Sequence, residues 1–431
     1  MQQTKPESEG VSLESGVEKH LIRPGGSHRY VHCHIRVMPG ATPAARLPLA
    51  LALVIDRSGS MTGQKLATAK EAARAVVAQL RETDLVSVVV FDHEVDVLQP
   101  AAPVSQALKE RLERALGGLA ARGNTALYQG WLTGCHAIAG EAARPETLAR
   151  CLLLTDGLAN VGQTDPEQIA TEAAGIREHA HVGTSTFGIG EDYDELLLGP
   201  LAVGGGGQFH HLREPREILS AFSGELGELF AVAARDVRLE VACASGIELE
   251  VISDYWTRRE EHDGPRWSIA VGDLIAGDER HLVLRLGFPP RLARVEPVVR
   301  VRLVWTAGGA ERRTPWSAFD FRYADDAACS AEPRDEEVTR WAARQQADRA
   351  LKEATVQSRR GNTAAAQAVL SQARQRVAPQ AAGDAELRES LAEMDAMGQA
   401  VASAPLASAA AKETLSRAQR RLRGQRDLRD S

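Results

Sequence analysis

Two periods of apolar residues divide this chain. Between Tyr30 and Val37, Val31, Cys33, Ile35 and Val37 fall on one face and His32, His34 and Arg36 on the other, the period-two pattern of a half-buried strand. Pro39, Gly40 and Pro43 then break the chain, and Leu49–Ile55 is continuously apolar, as expected of a parallel strand covered on both faces. A helix is predicted over Gln64–Leu80, with Leu66, Ala69, Ala73, Val76, Val77 and Leu80 in one stripe. Apolar strands at Val86–Phe91, Cys151–Thr155, His181–Phe187 and Gln208–Leu212 are interspersed with helices near 105–117, 126–142, 166–180, 192–202 and 215–232. Strands exchanging with helices predict a Rossmann-like, doubly wound, mostly parallel α/β sheet over 48–235.

Period two returns after residue 236. Val237, Leu239, Val241 and Cys243 share a face, as do Leu282, Leu284 and Leu286, and Val299, Val301, Leu303 and Trp305. Such strands between Gly/Pro turns predict a β-sandwich. The isolated strand at 30–37 needs partners, so segments 16–47 and 236–325 are assigned to one sandwich with the α/β domain inserted in it. Insertion is cheap where a domain's termini lie close together. The stretch 334–425 is rich in Ala, Arg, Gln and Glu and reads as a C-terminal α-helical domain, with breaks at Gly361-Asn362 and Gly383-Asp384. Residues 1–15 read as a disordered N-terminus.

Composition narrows the function classes. Lys and Arg number 51 against 58 Asp and Glu, and a mildly acidic chain is a poor binder of nucleic acid or of anionic membrane. No stretch approaches the ~20 apolar residues of a membrane helix, and the polar start MQQTKPESEG has no signal-peptide core. The five scattered cysteines lack C-x-x-C spacing, which argues against a disulfide framework or structural zinc. A reduced, cytoplasmic protein is the expectation. The Ala/Arg bias and 4% aromatic content fit a GC-rich bacterial genome.

The chemistry collects at two predicted strand ends. Asp56-Arg57-Ser58-Gly59-Ser60 follows the first buried strand, Asp156 follows the strand at 151–155, and Thr125 in Gly123-Asn124-Thr125 opens a helix between them. In open α/β sheets the binding crevice lies at carboxyl strand ends, at the switch in strand order. Two carboxylates and three hydroxyls converge there if the two strands are neighbours. An all-oxygen set suits a hard cation, Mg²⁺ foremost, with Mn²⁺ or Ca²⁺ as alternatives. Asp92, ending another strand, reads as a turn residue, with a helper role at the site as the alternative. His32 and His34 share a strand face but show no third ligand, so that face is assigned to solvent. His210 and His211 lie on opposite strand faces and are given no chemistry. Gly59–Lys65 lacks phosphate-loop spacing.

The motifs DRSGS at 56–60, GNTAL at 123–127 and TDG at 155–157 resemble the metal-ion-dependent adhesion site of von Willebrand factor type A (vWA) domains, of bacterial intracellular type. All five family positions match: Asp56, Ser58, Ser60, Thr125 and Asp156. The resemblance covers about 48–232. It implies that the first and fourth strands are adjacent and that Ser58 and Ser60 bind a Mg²⁺ directly. It further implies that Thr125 switches between direct and water-mediated contact, and that a partner's Glu or Asp takes the sixth position.

The expectation is therefore a non-enzymatic, metal-dependent protein-interaction module whose partner is a protein offering a Glu or Asp carboxylate. Family analogy adds an ATPase or a kinase/phosphatase system as partner. Two alternatives use the same residues differently. One is a metal-assisted phosphoesterase or hydrolase, which needs a base or nucleophile beside the ion. The other is a cytosolic adaptor acting through its helical tail.

Overall fold

The structure, a computed structural model, describes residues 10–40, 46–142, 144, 146–157, 162–261, 264–290, 297–403, 406 and 408–424. The chain forms two compact units, one of Pro43–Val232 and one of the flanking segments Met1–Thr42 and Ala233–Ser431.

The flanking unit opens with β1 (Val11–Val17), β2 (Leu21–Ile22) and β3 (Ser27–Val37). Strand β1 corrects the expectation of disorder over 1–15; residues 1–9 lie outside the described residues. Only Val11 and Val17 of β1 are buried, so its own pattern is too weak to mark it. Its order comes from an antiparallel ladder to β3, from Val11↔Val37 to Val17↔Val31.

The inserted unit contains β4 (Leu49–Asp56), β5 (Leu85–Phe91), β6 (Val95–Pro103), β7 (Leu148–Thr155), β8 (Val182–Ile189) and β9 (Gly206–Leu212). Helices α1 (Gln64–Gln79), α2 (Gln106–Gly117), α3 (Leu127–Ala142), α4 (Pro166–Ala180), α5 (Glu195–Gly204) and α6 (Glu217–Phe230) connect them. The sheet order is β6-β5-β4-β7-β8-β9, parallel except for β6, an antiparallel edge strand. Strand β4 is buried along its whole length. The chain leaves β4 toward β5 on one side and returns to β7 on the other, so the order switches at the carboxyl ends of β4 and β7, where such sheets bind ligands.

Two glycines bring α3 onto this sheet. A Cβ on Gly130 would stand 2.6 Å from Cδ1 of Phe91, and one on Gly134 would overlap Cγ2 of Val54. The loop before α3 is fastened as well, because the Ala126 N–H donates to the Asp92 carbonyl at 2.6 Å. Thr125 is thereby fixed beside the strand ends.

The flanking unit resumes with β10 (Val232–Cys243), β11 (Glu248–Val251), β12 (Trp256–Glu261), β13 (Pro265–Ile275), β14 (Glu279–Phe288), β15 (Val298–Ala307), β16 (Ala310–Arg313), β17 (Ser317–Asp320) and β18 (Arg322–Tyr323). One sandwich sheet runs β1-β3-β14-β11; the other runs β12-β13-β10-β15-β16, with β17 also on β15. Val31, Cys33, Ile35, Leu282 and Leu284 share a core with Leu239, Val241, Ile269 and Val301.

Five helices follow: α7 (Asp326–Ala331), α8 (Glu336–Arg359), α9 (Thr363–Val377), α10 (Ala385–Ser403) and α11 (Ser408–Arg423). Gly361 (φ 81°) and Gly383 (φ 88°) stand at two of the breaks between them. These helices belong to the same compact unit as the sandwich rather than to a separate body. Trp341 of α8 stacks on His281 of β14, with ring centroids 3.7 Å apart. The polar face of β3 is therefore covered, and His32, expected in solvent, is only 4% exposed. Among the described residues no helix is long and apolar enough to cross a membrane.

Candidate metal centre

Strand β4 ends in Asp56, and its parallel partner β7 ends one residue before Asp156. The five residues picked from the sequence lie together. The Ser58 N–H donates to Asp56 Oδ1 at 2.7 Å, and the Thr155 hydroxyl donates to Asp56 Oδ2 at 2.5 Å. The hydroxyls of Ser58 and Ser60 are 3.0 Å apart, and Ser60 donates to Asp156 Oδ1 at 2.7 Å. Gly157 shows where Thr125 points. A Cβ built there would meet Thr125 Oγ1 at 3.1 Å, Ser60 Oγ at 3.5 Å and Asp56 Oδ2 at 3.7 Å. Three separate chain segments thus aim oxygens at one small volume that only a glycine leaves open.

The floor of this volume is closed and its rim is open. Asp56, Ser58, Thr125 and Asp156 are buried, while Gly59 and Ser60 are exposed. Burial, and to a smaller extent the charge of Asp156, pushes the Asp56 carboxyl up to about 6, against the hydrogen bonds from Thr155 and Ser58. Two buried carboxyls and three hydroxyls, with no nitrogen or sulfur donor, fit a hard divalent cation.

Lys65 is not legible in the sequence as part of this site, and Asp92 is legible there only as the alternative to a turn. The Lys65 ammonium, one residue into α1, pairs with Asp156 Oδ2. Its only sequence signal was its place in the loop-to-helix stretch that failed as a phosphate loop. Asp92 is more than a turn residue. Its Oδ2 accepts from Arg57 Nε at 2.8 Å and from Arg122 Nε at 2.7 Å, and its Oδ1 accepts from the Glu94 N–H at 2.8 Å. Burial opposes its ionisation, but the Glu94 N–H and the guanidiniums of Arg122 and Arg57 outweigh it and hold the carboxyl below its usual value. Asp92 so ties the loop after β4 to the loop before α3. Backbone bonds double the tie: Arg122 N–H to the Arg57 carbonyl at 2.8 Å, and Gly59 N–H to the Gly123 carbonyl at 3.1 Å.

Behind the site, His210 of β9 also has a partner. Its Nε2 lies 3.1 Å from Oε2 of Glu225 on α6, whose Oε1 accepts from the Ser185 hydroxyl at 2.5 Å. This buried network joins α6 to β8 and β9 and exposes no reactive atom to solvent.

Comparison with known proteins decides the family of this unit. Residues 50–222 match the family model of the von Willebrand factor type A domain. This stretch is a vWA domain. Protein sll0103 of Synechocystis sp. is 28% identical over 249 residues, 56% of this chain and 57% of that protein. The chain spans about half the length of the first relatives it matches. Two solved structures resemble nearly the whole chain in fold. A von Willebrand factor type A protein from Catenulispora acidiphila has a TM-score of 0.68 at 19% identity, covering 91% of each chain. The ArnB paralog VWA2 from Sulfolobus acidocaldarius has a TM-score of 0.62 at 16% identity, covering 96% of this chain and 98% of its own. The vWA domain, the sandwich and the helices thus recur together.

Proposed function

We propose that the vWA domain is a metal-dependent protein-interaction module. Asp56, Ser58, Ser60, Thr125 and Asp156 would hold one Mg²⁺ or a similar hard cation, and a Glu or Asp carboxylate of a partner protein would complete its coordination. The observation that carries this reading is the convergence of five oxygen-bearing side chains on a volume with a buried acidic floor, open at Ser60 and edged by Lys65. When bound, the ion supplies a positive charge that neutral hydroxyls leave only partly compensated, and a carboxylate from outside can satisfy it. The acids do the neutralising from below. Ser58 and Ser60, two residues apart across Gly59, orient the ligand shell. The ties through Asp92 keep the two loops at fixed spacing whether or not a partner is present.

A partner's carboxylate buried against the ion would be a hot spot of the interface. The reading is tested by pull-down with Mg²⁺ and then with EDTA, using wild type and Asp156→Ala. It expects capture of a protein partner that EDTA releases and that Asp156→Ala fails to bind. Capture that is indifferent to both would contradict it.

A further inference from the structure

A second set of ligand atoms gathers in the flanking unit. Strand β3 carries His34 and β14 carries Glu279 and His281, and the antiparallel register sets His34 opposite His281 and Arg36 opposite Glu279. One potential ligand atom from each of His34, Glu279 and His281 lies within 4.8 Å of the other two. His34 Nε2 stands 3.6 Å from Glu279 Oε2, beyond hydrogen-bond range. That nitrogen is enclosed and has no hydrogen-bond partner. Two ligands each about 2.0–2.1 Å from a tetrahedral ion stand roughly 3.3 Å apart, so the gap is close to the one an ion would fill.

The surroundings hold the imidazoles in place. His281 lies against His34 (centroids 4.1 Å apart) and against Trp341 (3.7 Å). Its Nδ1 is 2.9 Å from His32 Nε2, the kind of outer hydrogen bond that fixes the ring of a metal-bound histidine. The guanidiniums nearby have acids of their own, Arg36 pairing with Glu14 and Arg344 with Asp384.

We propose that His34, Glu279 and His281 form a binding site for a transition-metal dication of the zinc class, separate from the vWA site. Two imidazoles and a carboxylate suit Zn²⁺, Co²⁺, Ni²⁺ or Cu²⁺ and discriminate against Mg²⁺. The ion would staple β3, which precedes the inserted domain in sequence, to β14, which follows it.

The test is calorimetric titration of the metal-stripped full chain with ZnCl₂ in excess Mg²⁺, with Co²⁺ absorption as a second readout. The variants are Glu279→Gln, a near-isosteric change at a side chain 57% exposed, and His34→Gln, each checked for its fold by circular dichroism. Wild type should take up one Zn²⁺ per chain, and each variant should bind at least about tenfold more weakly. Cobalt should give visible ligand-field bands in wild type that both variants lose. Absence of Zn²⁺ uptake at micromolar concentration, or uptake and cobalt spectra unchanged in both variants, would overturn the proposal.

Discussion

The vWA site and the histidine cluster of the sandwich are built by opposite means. In the vWA domain the donors sit on loops at the ends of parallel strands, and their spacing depends on ties between those loops. In the sandwich the donors sit within antiparallel strands, and the ladder register sets which of them face one another. In the proposed reading the first arrangement gathers oxygens for a hard cation. The second gathers imidazoles and a carboxylate for a softer one. Loop sites should therefore fail when ties are cut, whereas a register site should survive anything that leaves its ladder paired.

Cutting the principal tie should have the largest effect. Asp92→Ala takes from Arg57 one of its two carboxylates, Asp96 being the other, and from Arg122 and the Glu94 N–H their shared acceptor, and losing a hydrogen bond to a charged group costs about 1.5–3 kcal/mol. Urea unfolding should show a loss of that order, and Mg²⁺ affinity should fall with it while Zn²⁺ uptake at the sandwich stays. Equal loss at both sites would break the contrast.

A smaller change should come from moving α3. Gly130→Ala places a methyl group 2.6 Å from the Phe91 ring, and overpacking of this kind costs about 1–3 kcal/mol. Chemical denaturation checks the stability. Calorimetry should show weaker Mg²⁺ binding, because Thr125 is carried on the loop that leads into this helix.

Acid should reveal the smallest difference. Burial opposes ionisation of Glu225, but His210, Arg150 and Ser185 hold its carboxyl below the ordinary 4.5. The unfolded chain takes up that proton at higher pH than the fold does, so this stabilisation is complete above about 4.5 and drains away as the pH falls below it. Urea midpoints between pH 7 and 3.5 should drop more steeply for wild type than for Glu225→Gln. Parallel slopes would remove the pair from the account of the vWA domain.

The same contrast explains what could be read from the sequence. The candidate residues of the vWA site follow buried strands as compact motifs, so Asp56, Ser58, Ser60, Thr125 and Asp156 could be picked out and are found together. The strand-helix alternation likewise revealed the inserted sheet, apart from β6, an edge strand on which Val95 and Val97 alternate with polar neighbours and are only partly buried or exposed. Lys65 escaped, and Asp92 reads first as a turn residue, because their partners are fixed by tertiary contact and not by any local pattern. The histidine cluster escaped for a stronger reason. His34 showed no third ligand because Glu279 and His281 lie beyond the inserted domain, and only the β3–β14 register brings them near. His32 was assigned to solvent because nothing in a strand's own alternation reveals that a distant helix, α8, will cover its polar face.

The central claim is that the loop-built site holds one hard divalent cation. Isothermal titration of the metal-free chain with Mg²⁺ tests it most directly, with Asp156→Ala as the comparison and circular dichroism to verify its fold. The account predicts saturable uptake of one ion by wild type and none by a folded Asp156→Ala. No uptake by wild type, or equal uptake by both, would contradict it.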